Sequence, residues 1–365
     1  MKITLKKETI VTPLQQIIGA VEKRQTLPVL GNVLLSAHNE ILSMTATDTE
    51  IELQSRTQAT IETEGSITVP ARKLLDICRA LPDEATIKLE LSNNKLKISS
   101  GRSKFVLSTL PASDFPLSVD VNDGRDIEIP GHLLSDSVKR TQFSMANQDV
   151  RFYLNGLLLE VTNTGLRCVA TDGHRLAFSS SPIESTLDEP IRVIIPRKSV
   201  LELSRLINAD DDVSLRFTQQ HLKLHFHEVT LTTKLIDGRF PDYNRVIPVD
   251  CDKELILDKD ALIHALSRAS ILSNEKYRGI RMRFENNILS ISTNNPDQEE
   301  ASEELEISYS ASPVEIGFNV IYLLEALNRI ETENVRLLLK DGNSSCLIMP
   351  VDSDEAKYVI MPMRL

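Results

Sequence analysis

The chain has 365 residues, of which 41% are apolar, which suits two or three domains of ordinary size with a core in each. No apolar run is long enough to cross a membrane, which excludes a protein with membrane-spanning helices. Taken alone, the formal charge of −11 argues against nucleic-acid binding, because contact with phosphates needs Lys and Arg, although an acidic protein can still carry a local basic face.

The N-terminal sequence MKITLKKETI predicts a strand rather than a signal peptide. The four cysteines (Cys78, Cys168, Cys251 and Cys346) lie far apart and form no CxxC pair. Such spacing is typical of thiols in a reducing compartment. We therefore predict a cytoplasmic protein with no membrane association.

The N-terminal part of the chain is predicted to form a strand followed by an amphipathic helix. Leu14, Ile17, Ile18 and Val21 fall at the spacing of one helix face, and Pro13 suits a first helical turn. Alternating apolar and polar residues then predict half-buried strands, as in residues 87–91 and again in 222–226. This order of elements indicates an α+β domain with two helices and seven or eight strands.

The same elements recur twice more, with spacings of 123 to 126 residues between corresponding anchors. The anchors are the helix starts Pro70, Pro196 and Asn319, the glycines Gly31, Gly156 and Gly279, and the pairs Thr47-Asp48, Thr171-Asp172 and Asn294-Asn295. A period this long is a whole domain rather than a solenoid unit. We predict three copies of one domain, at 1–124, 125–252 and 253–365.

The second helix of each repeat carries a repeated charge pattern on one face. The charges are Arg72, Asp76 and Arg79 in the first repeat, Lys198, Glu202 and Arg205 in the second, and only Glu325 in the third. Lys73 and Arg197 add to the basic side. One interpretation is a solvated helix face, and the other is a weak cationic surface that faces an extended polyanion.

Two patterns raise the alternative of an enzyme. The string TDGHRL (171–176) places His174 beside Asp172, as a base and its orienting carboxylate would be. No nucleophile motif, P-loop or GxGxxG accompanies it, so a structural turn is favoured and no catalytic residue is predicted.

A second pattern is three histidines on one strand face, His221, His225 and His227, which could bind a metal. Lys223 lies among them, and the other strand face is apolar, so an exposed polar face is the favoured interpretation. We predict neither a metal site nor a cofactor.

The C-terminal sequence YVIMPMRL (358–365) is apolar to its last residues, whereas chain ends are usually polar. It predicts either a final strand or one wall of a groove. The groove interpretation requires Leu154, Leu176 and Val246 to lie close to this tail.

Strings in all three repeats resemble one known family. They are TLPVLGN (26–32), VPARKLLDICR (69–79), GRSKFVLSTLPASDFP (101–116), QFSMANQDVRFYLNG (142–156), ATDGHRLA (170–177), KLIDGRFPDY (234–243), ILSNEKYRG (271–279), NNPDQEEA (294–301), EIGFNV (315–320) and YVIMPMRL (358–365). By these strings the chain resembles the bacterial sliding clamps, the β subunits of DNA polymerase III, of the gammaproteobacterial type.

The resemblance implies three tandem clamp domains per chain, each with two inner helices and outer antiparallel sheets, and two chains closed head to tail into a homodimeric ring. It implies a non-enzymatic processivity factor that encircles duplex DNA without sequence specificity. The expected partners are the polymerase III alpha subunit, the clamp loader, and other DNA polymerases and repair proteins. A scaffold that binds only proteins is the alternative within the non-enzymatic class.

The resemblance also implies site residues. DNA contact is implied for Arg24, Arg72, Gln148, Phe152 and Tyr153, to which the cationic helix face adds Arg197 and Lys198. The implied ring interface joins Lys73, Arg102, Lys104, Phe105 and Leu107 of one chain to Ile271, Leu272, Glu299, Glu300, Glu303 and Glu304 of the other. The partner groove is implied to consist of Leu154, Thr171, Gly173, His174, Arg175, Leu176, Pro241, Arg245, Val246, Tyr277, Asn319, Tyr322, Ser345, Val359, Ile360, Met361, Pro362, Met363, Arg364 and Leu365.

Overall fold

A computed structural model describes residues 1–22, 27–118, 124–184, 187 and 189–364 of the chain. The α-helices in these ranges are α1 (Lys7–Ile17), α2 (Ala71–Ala80), α3 (Gly131–Thr141), α4 (Arg197–Leu206), α5 (Lys259–Ser270) and α6 (Val320–Leu327). None of the described helices is long and apolar enough to span a membrane.

The strands of the first repeat are β1 (Lys2–Lys6), β2 (Asn32–His38), β3 (Ile41–Thr47), β4 (Ile51–Gln58), β5 (Thr60–Thr63), β6 (Gly65–Pro70), β7 (Thr86–Ser92), β8 (Lys95–Ser100) and β9 (Ser103–Ser108). Those of the second are β10 (Arg125–Pro130), β11 (Gly156–Val161), β12 (Gly165–Thr171), β13 (Arg175–Pro182), β14 (Ile191–Pro196), β15 (Asp212–Phe217), β16 (His221–Phe226) and β17 (Val229–Lys234). Those of the third are β18 (Lys253–Asp258), β19 (Gly279–Glu285), β20 (Ile288–Asn294), β21 (Glu300–Glu306), β22 (Val314–Asn319), β23 (Asn334–Leu339), β24 (Cys346–Pro350) and β25 (Ala356–Ile360).

Each repeat therefore runs strand, helix, a set of strands, helix and three strands, with β5 as an additional short strand in the first. The predicted α+β class with two helices per repeat is confirmed. The alternating segments at 87–91 and 222–226 lie in β7 and β16, as the period-two pattern predicts.

The start of the first helix was predicted wrongly. Helix α1 begins at Lys7, directly after β1, so Pro13 lies inside the helix rather than in its first turn. Ile18 belongs to a short 3-10 helix, and Val21 lies beyond it. The apolar face is nevertheless real, because Leu14 and Ile17 are fully buried and Val21 nearly so. Burial of one such leucine or isoleucine side chain contributes about 2 kcal/mol.

Contacts divide the chain into two compact units, and the middle repeat contributes to both. The first unit comprises Met1–Ser135 and Lys198–Leu235, and the second comprises Asp136–Arg197 and Ile236–Leu365. The boundaries at 124/125 and 252/253 stay a prediction.

The first unit contains a five-stranded sheet in the order β5-β1-β7-β8-β9 and an eight-stranded sheet in the order β10-β15-β16-β17-β4-β3-β2-β6. In the larger sheet, β4 of the first repeat pairs antiparallel with β17 of the second, from Val229↔Ser55 to Thr233↔Ile51. One continuous sheet therefore joins the two repeats within this unit.

The second unit repeats this arrangement. Its eight-stranded sheet has the order β14-β11-β12-β13-β25-β24-β23-β18, and its four-stranded sheet has the order β21-β20-β19-β22. Here β13 of the second repeat pairs with β25 of the third, from Arg175↔Ile360 to Ser179↔Ala356. Because β4 corresponds to β13 and β17 corresponds to β25, both units join their repeats through the same pair of strands.

Candidate functional site

The string TDGHRL forms the tight turn between β12 and β13. The carboxylate of Asp172 accepts hydrogen bonds from the backbone N–H groups of His174 (2.9 Å) and Arg175 (3.0 Å). The Thr171 hydroxyl donates to the Arg175 carbonyl (2.6 Å), and the His174 side chain is exposed. Because the carboxylate is engaged by the backbone, this string is a side-chain-closed turn rather than a base with its orienting acid.

The first repeat builds the same turn between β3 and β4. The Asp48 carboxylate accepts from the N–H groups of Glu50 and Ile51, both at 2.9 Å, and the Thr47 hydroxyl donates to the Ile51 carbonyl at 2.8 Å. Lys198 forms an ion pair with Asp48. The repeated Thr-Asp pair thus marks a recurring turn, in which the acid serves the backbone in both copies.

We expect Asp172→Ala to lower the free energy of unfolding by about 3 kcal/mol, because two backbone donors and a charged side chain lose their acceptor. His174→Ala removes the exposed neighbour and should change it by less than about 0.5 kcal/mol. Urea unfolding of both variants measures the difference. Equal losses in the two variants would contradict the structural role of Asp172.

Arg175 is a buried cross-link beneath the turn. Its guanidinium lies 3.1 Å from the Asp172 carboxylate, forms an ion pair with Glu325 of α6, and donates to the Phe143 carbonyl at 2.8 Å. Its Cζ atom lies 4.4 Å from the ring centre of Tyr322, also on α6, whose pKa is raised by burial. Arg175 therefore fixes α6 against the turn by ion pairs and by a cation–π contact.

The C-terminal tail continues from β25 along this turn. Val359 lies opposite Leu176 in the β13–β25 pairing, and both belong to one apolar cluster with the partly buried Val246. The Met361 N–H donates to the carbonyl of His174 at 3.0 Å. Two of the three residues that the groove interpretation required, Leu176 and Val246, thus lie beside the tail, and Leu154 is buried in a neighbouring 3-10 helix.

Beyond Met361 the tail crosses to the four-stranded sheet. The Met363 N–H donates to the Gly317 carbonyl in β22 at 2.8 Å. At the end of that strand Asn319 lies opposite Gly279, and the Asn319 side chain caps α6 by accepting from the Ile321 N–H. The tail therefore lies between the turn after β12 and the strand that leads into α6.

The remaining predicted groove residues surround this path. Ser345 precedes Cys346, which lies opposite Ile360 in the β24–β25 pairing. Tyr277 is largely exposed, and the neighbouring Arg278 carbonyl accepts from the Val320 N–H at the start of α6. Pro241 and Arg245 are exposed in the loop around Tyr243, and Tyr243 itself belongs to the apolar cluster of Leu176 and Val359. In the tail, Pro362 is partly exposed and Arg364 is exposed, whereas Leu365 lies outside the described residues.

A second loop, residues 145–155, adjoins the turn. Arg151 binds both carboxylate oxygens of Asp149, at 3.0 and 2.9 Å, and also donates to the Asp172 carbonyl at 3.2 Å. Asn155 closes the loop by accepting from the Asp149 N–H and donating to the Asp149 carbonyl, both at 2.8 Å. The hydrogen bonds from Arg151 lower the pKa of Asp149 to about 2.

The ionised form of Asp149 should support the loop over most of the pH range. Its pKa is lowered from 3.8, so its contribution is complete above pH 3.8 and is lost as the pH falls towards 2. We expect Asp149→Asn to be less stable than the unchanged protein at pH 6, and the gap to narrow between pH 4 and pH 2.5. Urea unfolding at each pH tests this, and a gap independent of pH would contradict it.

The predicted DNA-contacting residues fall in both units. In the first unit, Arg72 is exposed on α2 and makes no ion pair with any described residue, whereas Lys198 is held by Asp48. Arg205, on the same helix as Lys198, binds Glu202 and the carbonyls of Gln15 and Gln16 at the end of α1. The charges of the cationic face are therefore partly neutralised by Asp48 and Glu202 of the same unit. Arg24, the remaining predicted contact, lies outside the described residues.

In the second unit the predicted contacts cluster on the loop of residues 145–155. Gln148 is exposed with φ +58°, and Phe152 is 58% exposed beside Tyr153. Arg197 supports this loop rather than projecting freely, because its guanidinium donates to the Met145 carbonyl at 3.0 Å. Exposed aromatic and amide groups on a braced loop suit contact with a nucleic-acid backbone or bases.

The predicted interface residues lie at the two sheet edges. Strand β9 is the outer strand of the five-stranded sheet, where Arg102 and Lys104 are exposed close to it and Lys73 is exposed on α2. Leu107 is buried within its own unit and Phe105 is partly buried. The exposed apolar side chain of β9 is Val106 at 57%, which the sequence analysis did not single out.

The other predicted interface edge, in the second unit, is acidic. Strand β21 ends the four-stranded sheet, and Glu300 and Glu304 are exposed along it. Glu303 is paired with Arg268 of α5 at 2.6 Å, and Glu299 accepts from the Asn295 side chain at 2.7 Å. At the end of α5, Ile271 is 75% exposed and Leu272 is partly exposed.

The histidine face holds no metal-ligand set among the described residues. His225 lies 3.1 Å from the Thr230 hydroxyl, and His227 lies 2.5 Å from the carboxylate of Asp211. Two of the three histidines are thus engaged by different partners, and His227 lies beyond the end of β16 with φ +48° rather than on the predicted strand face.

Comparison with known proteins identifies the family. Three family models match, described as the N-terminal, central and C-terminal domains of the DNA polymerase III beta subunit, at residues 1–120, 128–242 and 244–364. The chain belongs to the DNA polymerase III beta subunit family. This is the family of bacterial sliding clamps, which are non-catalytic processivity factors of DNA replication.

Individual sliding clamps agree over the full length. The chain is 49% identical to the beta sliding clamp of Pseudomonas aeruginosa and 47% identical to that of Escherichia coli, with 100% of each chain covered in both cases. A crystal structure of the Pseudomonas aeruginosa beta subunit superposes with a TM-score of 0.97 at 48% identity. Another, of that organism's clamp bound to griselimycin, gives 0.95 at 49%, and both cover 100% of each chain.

Two residues that contact the turn of residues 171–176, beside the predicted groove, were missed from the sequence. Arg151 and Phe143 belong to no recurrent motif, and their contacts join segments that are distant along the chain. Glu325 did carry a signal, because an acid recurs on the second helix of every repeat, and in the third repeat it holds Arg175.

Proposed function

We propose that this sliding clamp closes with a second copy into a head-to-tail ring around duplex DNA and tethers its partners through one groove per chain. The observation that carries the proposal is the repeated seam. Strand β4 pairs with β17 and β13 pairs with β25, which leaves the corresponding strands β21 and β9 at open edges. The same antiparallel pairing between β21 of one chain and β9 of another would complete the series.

Charge supports this pairing. The β21 edge presents Glu300 and Glu304, whereas Lys104 and Arg102 lie at the β9 edge. Opposite charges on corresponding edges favour a heterologous contact between unlike edges and disfavour pairing of like edges. The exposed Ile271 and Val106 supply apolar area to the same seam.

For the groove we propose the surface formed by the turn of residues 171–176, the tail of residues 359–364 and the start of α6. An apolar cluster lies beneath it, and backbone hydrogen bonds fix the tail across it. Such a surface suits short peptide segments of the polymerase III alpha subunit, the clamp loader and other polymerases or repair proteins. A tethered polymerase then rebinds its DNA end at a high effective concentration.

The DNA-facing residues are proposed to be Arg72 and the loop of residues 145–155, with Arg24, Arg197 and Lys198 in supporting positions. The neutralisation of Lys198 by Asp48 suits sliding, because each unpaired cation that contacts phosphate adds to binding strength. We place the protein in the cytoplasm, consistent with four free cysteines.

The test is retention on nicked circular DNA after loading by the cognate clamp loader and ATP, before and after the circle is cut. Retention on the circle and loss from the linear form are expected of a topologically linked ring. Equal retention on both forms would overturn the ring. Normal partner binding with no dependence on DNA topology would favour the scaffold that binds only proteins.

A further inference from the structure

The turns at Thr47–Ile51 and Thr171–Arg175 differ at one informative position. Gly173 has φ +88°, and its counterpart Thr49 has φ +77°. In the first repeat the β-branched residue Thr49 thus adopts the left-handed conformation that usually requires glycine. Backbone conformation alone does not explain why the second repeat has glycine there.

The space beside Gly173 is occupied by Arg151. A Cβ atom at position 173 would lie 2.9 Å from both terminal nitrogens of the Arg151 guanidinium and 3.3 Å from its Cζ atom. Glycine therefore lets the two terminal nitrogens of the guanidinium approach the turn edge-on, so that one of them donates to the Asp172 carbonyl.

Arg151 also braces the loop of residues 145–155, which Asn155 closes. Its guanidinium donates hydrogen bonds to both carboxylate oxygens of Asp149. The same loop carries the exposed residues Gln148, Val150 and Phe152. The turn on its other side supplies the His174 carbonyl, which holds the Met361 N–H of the tail. One guanidinium therefore stands between the loop proposed to contact DNA and the turn that holds the tail in the groove.

We infer that Arg151 is a positioning residue that couples DNA contact at the loop to ligand binding in the groove. The inference rests on the proposed function. A shift of the loop on DNA moves Asp149, and with it Arg151, relative to the Asp172 carbonyl. The turn and the tail then change position, and the groove changes affinity. Linkage requires the reverse effect as well, so a ligand in the groove changes DNA affinity by the same factor.

The probe is fluorescent griselimycin, the ligand of the solved Pseudomonas aeruginosa clamp, which we propose also binds the groove of this chain. The experiment measures its dissociation constant for the full-length protein, free and loaded on nicked circular DNA from which the loader has been removed by gel filtration. The unchanged protein should show a ratio of the two constants that differs from 1 by at least about fivefold. The ratio is the readout, because a merely structural role of Arg151 would alter both constants alike.

Two variants test the residue. Arg151→Ala removes the guanidinium, and Gly173→Thr keeps the turn conformation seen at Thr49 while displacing Arg151. Both should bring the ratio to within about twofold of 1. Thr49→Gly, the matched change in the first repeat, should leave the ratio of the unchanged protein intact.

Either a ratio of 1 in the unchanged protein or an unchanged ratio in Arg151→Ala would overturn the coupling. Failure of griselimycin to bind the unchanged protein is a different result. It would overturn the groove itself, and the coupling with it, while the retention assay on circular DNA would still report on the ring.

Discussion

Replacing Ile271 with glutamate is expected to convert the proposed dimer into monomers. The side chain is 75% exposed at the end of α5, beside an edge that already carries Glu300 and Glu304. In the proposed seam the substitution removes an apolar anchor and places a charge next to the like-charged edge of its own chain. Dimerisation should weaken by about 100- to 1000-fold, the loss typical of a central interface residue.

Sedimentation velocity over a range of protein concentrations measures the dimerisation constant. Leu201→Glu is the matched control, because Leu201 is 45% exposed on α4, in the middle repeat, which contributes neither β9 nor β21. It introduces the same charge away from the proposed seam and should leave the dimer intact. A dimer of Ile271→Glu as stable as that of the control would exclude Ile271 from the interface.

Shortening the tail is expected to weaken ligand binding in the proposed groove without opening the proposed ring. The double change Met363→Ala with Leu365 deleted removes the Met363 side chain at the backbone bridge with Gly317 and one further apolar residue of the sequence. Griselimycin binding should weaken by about 100-fold, since buried apolar anchors dominate such sites. Isothermal titration calorimetry gives the affinity, and sedimentation velocity checks that the dimer persists.

The control for the tail is Ile288→Ala, which shortens a partly exposed apolar side chain on β20 of the same unit. It should change the griselimycin affinity by less than about twofold. An affinity of the tail variant equal to that of this control would remove the tail from the groove. Loss of the dimer in the tail variant would show that the tail also supports the seam.

Local patterns predicted the elements of each repeat better than their limits. The apolar spacing of Leu14 and Ile17 correctly located a buried helix face, because periodicity reflects packing. The same spacing misplaced the start of the helix, since Lys7 follows β1 without a turn and Pro13 is accommodated inside α1. Sequence alone does not report that β1 leads straight into the helix.

Pairings between repeats lay beyond the sequence pattern. The residue patterns of β4 and β17 do not predict that these strands pair with each other, because the pairing joins segments far apart in the chain. The same holds for Arg175, which the resemblance placed on the groove wall and the structure buries against Glu325 and Phe143. Motifs can identify the residues of a site, but the ion pairs and hydrogen bonds that hold those residues in place depend on the tertiary fold.

The repeated seam has a consequence for how long a ring stays on DNA. In a ring of two chains with three repeats each, four of the six seams lie within a chain, where β4–β17 and β13–β25 pair beside covalent connections. Only the two seams formed by β9 and β21 can separate without breaking a continuous sheet of one polypeptide. Residence time on DNA is then governed by these two weakest joints, and a loader needs to act on only one of them.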